Sequence, residues 1–200
     1  MLQSDKDLPP DQAPYVEAAY AGVQRAADII ERLLVLTERE DRSEPLRLHV
    51  LLRSVLSLYR ERIEAEKVWL VLDIVETPLV VGSKKRLEFV FEALIRNALD
   101  SLLDRSDRRL CLRTGSTENS AYLVVEDSGC GIPDEDMPRI FTPFFTAKGE
   151  WAPTGSPRAR LRGIGLDLAI SNMTVSEYGG RIDVESTKEI GSTFRVVIRL

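Results

Sequence analysis

Three short runs of the chain carry residue types that could handle a charged ligand. In EALIRNALDSLL (residues 92–103), Leu94, Ile95, Ala98, Leu99 and Leu102 form one apolar helical face, and Arg96, Asn97, Asp100 and Ser101 fall on or near the other. An Asn costs helix stability because its amide competes for backbone hydrogen bonds. Its plain reading is a solvent-facing side chain. Its chemical reading is an amide oxygen for Mg²⁺, which needs few protein oxygens beside waters and phosphates. In VVEDSGCGIPDED an acidic residue at a strand end precedes two glycines, which let backbone approach a ligand closely. A carboxylate buried there could accept a hydrogen bond from an exocyclic amine such as that of adenine; the plain alternative is a tight turn after an edge strand. In RLRGIGLDLAIS, Gly163 and Gly165 lead into a helix whose first N–H groups suit phosphate. Lys148, Arg158, Arg160 and Arg162 lie just before it, either as a solvated basic loop or as a lid over a polyphosphate.

These residues need elements to hold them. Residues 15–42 contain no Pro, and Val16, Ala19, Tyr20, Val23, Ala26, Ala27, Ile30, Leu33 and Leu34 recur at helical spacing. Residues 41–45 read as a boundary, and residues 1–14, with Pro9, Pro10 and Pro14, as a loose tail. Further helices are expected over 49–67, 84–103 and 163–178, the last stopped by Gly179-Gly180. Strands are expected over 68–75, 110–114 and 121–126 and in the terminal runs RIDVES and STFRVVIRL. Consecutive strands without crossover helices predict hairpins, and so an α+β fold in which a mixed sheet carries helices on one face.

Composition narrows the function. Hydrophobic residues make up 44% and charged residues 30% of the 200-residue chain, as in a soluble globular protein. A net charge of −5 argues against a nucleic-acid surface. No apolar run is long enough to cross a membrane, and the start lacks the pattern of a signal peptide. The two cysteines, Cys111 and Cys130, are far apart and lack metal-ligand spacing, which fits a reducing cytoplasm.

The order of these runs resembles the GHKL superfamily of ATP-binding domains, shared by histidine kinases, gyrase, chaperones of the ninety-kilodalton class and mismatch-repair ATPases. The resemblance is strongest to histidine kinases. RLEFVFEALIRNALDSL is similar to their Asn-containing box, DSGCGIP to the first glycine box, and IFTPFFTAK (residues 140–148) to the phenylalanine box of nitrogen-regulator-type kinases. GIGLDLAIS is similar to the second glycine box, with the final GG-x-I-x-V-x-S and GSTF completing the set. The resemblance covers residues 46–200. It implies a two-layer α/β sandwich of the Bergerat type, preceded by part of a dimerisation hairpin in residues 1–44, with the ATP-binding catalytic domain at 45–200.

The same resemblance implies residue roles. Asn97 would hold Mg²⁺ between the phosphates of ATP, with Asp100 at the phosphate end, and Asp127 would hold the adenine amine. Gly129, Gly131 and Ile132 would line the base. Lys148, Arg162 and the lid would approach the phosphates, with Gly163, Ile164, Gly165 and Leu166 beneath them. Ser192 or Thr193, with Thr193 preferred, would sit near the adenine. The implied activity is a two-component sensor kinase that positions Mg-ATP for transfer to a histidine outside this segment. The implied partners are the phosphoacceptor helix, a response regulator and a second copy. The implied location is cytoplasmic, although a parent protein could be membrane-anchored.

Departures from the pattern leave rivals. Ala93 stands where a second Asn is usual and where hydrolysing relatives carry a Glu; Glu92 is one residue off, about 100° around the helix. Asp167 stands where a small residue is favoured, and an inward carboxylate there would repel phosphate. Residues 149–162, with Trp151, make a long lid. The single histidine, His49 in LRLHVLLRS, lacks the acidic neighbour of a phosphoacceptor and reads as structural, so the segment is expected not to phosphorylate itself. The rival readings are a degenerate nucleotide-binding regulator that works through protein contacts, an anti-sigma-factor-type serine kinase, and a GHKL ATPase, the last weakened by the missing Glu.

Overall fold

A computed structural model of the chain describes residues 12–37, 43–148, 155–157, 161 and 163–200. The central element is α4 (Lys84–Leu102), which follows α1 (Ala13–Thr37), β1 (Glu44–Arg47), α2 (Leu48–Leu58), α3 (Arg60–Ala65), β2 (Trp69–Ile74) and β3 (Leu79–Gly82). Ser83 starts α4, its hydroxyl accepting the Arg86 N–H at 3.1 Å. Leu87, Phe91, Leu94, Ile95, Ala98, Leu99 and Leu102 then fall on one stripe and are all buried. That stripe lies against β4 (Arg109–Thr117) and β5 (Ser120–Asp127).

After a 3-10 turn at Met137–Arg139, α5 (Asp167–Glu177) and the hairpin β6 (Arg181–Thr187) and β7 (Gly191–Arg199) complete the chain. The main sheet has the order β2-β4-β5-β7-β6, with β2 parallel to β4 and the remaining pairs antiparallel. Register puts Leu112, Val125 and Phe194 side by side on the helix-covered face, all buried. Val124 and Arg195, one step along, face the other way, where Arg195 stacks 4.3 Å over the Tyr122 ring and Arg113 pairs with Glu126 at 2.7 Å. A mixed sheet with helices on one face is the expected architecture.

Several details differ from the sequence expectation. The segment read as a boundary near residue 45 forms β1, which pairs antiparallel with β3, a strand the sequence reading passed over. The helix expected over 49–67 is two helices, because the Tyr59 N–H turns to Leu56 O at 3.1 Å. The last helix begins at Asp167 and not at Gly163, because Gly165 has φ +74°, outside the helical region. Most of the expected tail, residues 1–11, the end of the first helix and most of the long lid, including Trp151, lie outside the described residues. On α1, Tyr15, Val16, Tyr20, Val23, Ile30 and Leu34 are exposed. Among the described residues no helix is long and apolar enough to cross a membrane.

Candidate nucleotide site

A cleft of about 460 Å³ opens where α4, the end of β5, the start of α5 and the β6–β7 turn meet. Asn97, Asp100, Asp127, Gly131, Ile132, Lys148, Gly163, Ile164 and Gly165 all line it. Three of the residues expected there do not. Gly129 lies behind the wall, donating its N–H to Asp127 Oδ1 at 2.8 Å, and a Cβ in its place would meet Ser101 Oγ at 2.1 Å. Leu166 is buried at the N-cap of α5. Thr193 faces away, and its neighbours Ser192 and Phe194 line the cleft, as strand alternation requires. Arg162 lies outside the described residues.

At one end Asp127 terminates β5. Its Oδ1 accepts from the Ser101 hydroxyl and the Gly129 N–H, both at 2.8 Å. Burial pushes its carboxyl up to about 6, against the lowering effect of hydrogen bonds from Ser101, Gly129 and Ser192. Nearby Gly131 has φ +65°, and any Cβ there would lie 2.1 Å from Thr187 O. The chain can therefore pass under the β6–β7 turn only with glycine at this position.

At the other end, Lys148 Nζ donates to Asn97 Oδ1 at 2.6 Å and to Asp100 Oδ2 at 2.7 Å. Asp100 Oδ1 accepts from Arg62 Nη2 at 2.7 Å, so this buried carboxylate lies between two cations. Burial lowers the Lys148 pKa, opposed mainly by Asp100. The Lys148 ammonium marks a point on which two protein oxygens converge. That donor set, one amide and one carboxylate, fits a hard divalent ion completing its shell with phosphate and water. Beside it, α5 starts without a side-chain cap, leaving its first N–H groups facing the cleft end lined by Gly163, Ile164 and Gly165.

Asp167, the departure noted in the second glycine box, does line the cleft, but it is paired: Arg96 Nη2 lies 2.8 Å from its Oδ2, and Arg32 of α1 closes on Oδ1. Ala93 is buried in the core, and Glu92 is not among the lining residues. His49 is likewise absent from the lining; its Nδ1 accepts the Thr77 N–H at 2.9 Å, which anchors the loop before β3.

Sequence reasoning placed Ser101 on the polar face of this helix but gave it no role in the site, although it stands one turn after Asn97. It also missed Cys130, Arg32 and Arg62. The first sits inside a quoted motif; the two arginines reach the site from distant helices and carry no local signal.

Residues 82–200 match the family described as histidine kinase-, DNA gyrase B-, and HSP90-like ATPase. The C4-dicarboxylate transport sensor protein DctB of Rhizobium meliloti (strain 1021) is 30% identical over 90% of this chain, which spans only 28% of that sensor's length. Full-length ShkA in complex with AMPPNP superposes with a TM-score of 0.71 at 19% identity, over 97% of this chain and 40% of that one. Histidine kinase ThkA in complex with the response regulator protein TrrA gives 0.68 at 21% identity, over 99% and 53% of the two chains. Both structures share the fold. The ordered boxes, the mixed sheet under its helices and the match over residues 82–200 place this chain in the histidine kinase-, DNA gyrase B- and HSP90-like ATPase family, as an ATP-binding catalytic domain of the sensor-histidine-kinase kind.

Proposed function

We propose that residues 45–200 hold ATP with Mg²⁺ in this cleft and present the γ-phosphoryl group to a histidine on another segment or chain, from which a response regulator is then phosphorylated in the cytoplasm. The observation that carries this reading is the convergence of the Asp127 turn, the Asn97–Lys148–Asp100 cluster and the uncapped start of α5 on one cleft. Asp127 accepts the adenine amine, and Gly131 and Ile132 bound the base. The side-chain oxygens of Asn97 and Asp100 would hold the cation, which would supply neutralisation of the phosphate charge. Lys148 gives up its place between those oxygens and turns to the phosphates. Phosphoryl transfer asks a protein mainly for positioning and charge neutralisation, and these residues provide both. His49, tied to Thr77, is not the acceptor. The exposed apolar stripe of α1 supports pairing with a second copy through the hairpin to which this helix belongs.

Calorimetric titration tests the cation site. The chain is expected to bind a non-hydrolysable ATP analogue more tightly with Mg²⁺ than with chelator, and Asn97→Ala is expected to remove most of that gain, about tenfold or about 1.4 kcal/mol. Equal affinities with and without metal would sink the assignment. A chemical probe gives an independent reading. Cys130 lines the cleft and is half-buried, whereas Cys111 is buried in the sheet. Maleimide is expected to modify Cys130 first, and saturating nucleotide should protect it. Modification at an unchanged rate would mean that the nucleotide sits elsewhere.

A further inference from the structure

Asp167, Arg96 and Arg32 come from three different helices and meet at the phosphate end of the cleft. Asp167 opens α5, where a carboxylate complements the positive end of the helix. Arg96 precedes Asn97 on α4, and Arg32 lies in the second half of α1. Both side chains are largely covered, 31% exposed for Arg96 and 19% for Arg32, and both reach the one Asp167 carboxylate, itself 17% exposed. All three residues line the cleft. A carboxylate stands where the resemblance implied a small residue, and it pairs with two arginines of the described chain beside the start of α5.

We propose that Asp167 is a built-in anion that latches α1 over the mouth of the cleft, and that the polyphosphate of the bound nucleotide breaks this latch. The inference rests on the nucleotide reading above and deepens it by assigning a regulation to the same site. Phosphate oxygens outcompete one carboxylate for a guanidinium, because they offer more acceptors and more charge. A polyphosphate beside Asp167 also repels its carboxylate. Arg96 turns to the phosphates, Asp167 withdraws from Arg32, and α1 loses this ion pair with α5. Linkage makes the coupling reciprocal: an α1 held on Asp167 weakens nucleotide binding by the same factor by which nucleotide loosens α1. The catalytic cleft thereby reports its occupancy to the helix that leads out of it.

The test uses the full chain with Mg²⁺ and AMPPNP, and reads nucleotide affinity by calorimetry and α1 amide protection by hydrogen exchange at one fixed protein concentration. In the wild type, saturating AMPPNP is expected to speed exchange in α1 while slowing it around Asp127. Asp167→Asn is expected to speed α1 exchange without nucleotide and to tighten nucleotide binding about fivefold, at the low end of usual coupling strengths. Arg32→Ala leaves every proposed nucleotide contact in place and is expected to do the same, which guards against misfolding of the Asp167 variant. Weaker nucleotide binding in Arg32→Ala would make Arg32 a phosphate ligand and overturn the latch. Nucleotide binding with α1 exchange unchanged or slowed overturns the latch alone. No nucleotide binding by the wild-type chain removes the functional reading and the latch together.

Discussion

Asp127→Asn is expected to give a protein that is more stable without nucleotide yet binds adenine nucleotide roughly a hundredfold more weakly. Burial holds the Asp127 carboxyl at about 6 instead of 3.8. Between those two values the folded chain binds more protons than the unfolded one. Stability contributed by this group therefore rises as pH falls from about 6 toward 4, and it is absent above 6. At neutral pH the ionised carboxylate costs the fold about 3 kcal/mol relative to its unfolded reference. An amide of the same shape removes that cost and can still accept from Ser101 and Gly129 through its oxygen. It loses the Ser192 N–H as a donor to a carboxylate, so the expected net gain is about 1–2 kcal/mol.

The effect on nucleotide has the opposite sign. The Oδ1 atom is already committed to Ser101 and Gly129, so the second oxygen, which can accept an amine beside any bond from the Ser192 N–H, is the one offered to an exocyclic amine. In asparagine that position is an NH₂, and a donor faces a donor. Losing a charge-assisted hydrogen bond and burying an unpaired donor together cost about 3 kcal/mol. In the wild type the same chemistry predicts that nucleotide affinity weakens as pH drops through about 6, where the carboxyl takes a proton. Thermal unfolding without ligand and calorimetry with ligand check both halves. A variant that melts lower than the wild type and binds normally would show that Asp127 is a structural residue.

This trade explains why the cleft was readable in the sequence. Groups held at a cost in stability stand out as types that do not belong in their local pattern: an Asn in a helix of good formers, an Asp at a strand end before spaced glycines. Long, strongly periodic elements were readable for the converse reason, since α4 and β5 follow their burial periods closely. β1 and β3 were not, because each has only four residues and β1 contains Pro45, which weakens any strand reading. The choice between Ser192 and Thr193 depends on parity in β7. That parity is set by pairing with β5, where Asp127 stands opposite Ser192. Arg96 and Asp167 lie 71 residues apart, and only the packing of α4 on α5 brings them together. The site was thus legible where one segment supplies both residue and reason, and illegible where two distant segments share one charge.

Gly165→Ala is expected to part the phenylalanine and glycine segments with little harm to the core. Gly165 has φ +74°, and a Cβ there would lie 2.5 Å from both Phe144 C and Phe145 O. Phe144 is itself at φ +67°, and its N–H donates to Gly165 O at 2.8 Å. The phenylalanine and glycine segments cross here backbone against backbone, and the crossing sets where Lys148 can reach. An alanine adds about 1–2 kcal/mol for the left-handed conformation and meets backbone atoms that cannot rotate away. The strain is relieved most cheaply by parting the two segments, since neither Gly165 nor Phe144 belongs to the buried core. The expected result is at least about tenfold weaker nucleotide binding, with a melting temperature lowered by only a few degrees. Gly163→Ala makes the comparison that isolates the cause. Its Cβ would meet Thr146 Oγ1 at 2.5 Å, which a χ1 rotation can move, and Lys148 Cβ at 2.8 Å, which moves only with its backbone, and its φ is not positive. With no left-handed strain and one of its two contacts able to rotate away, this variant is expected to bind nucleotide more tightly than Gly165→Ala. If the order is reversed, Lys148 is placed by the side-chain contacts at Gly163 and not by the crossing at Gly165.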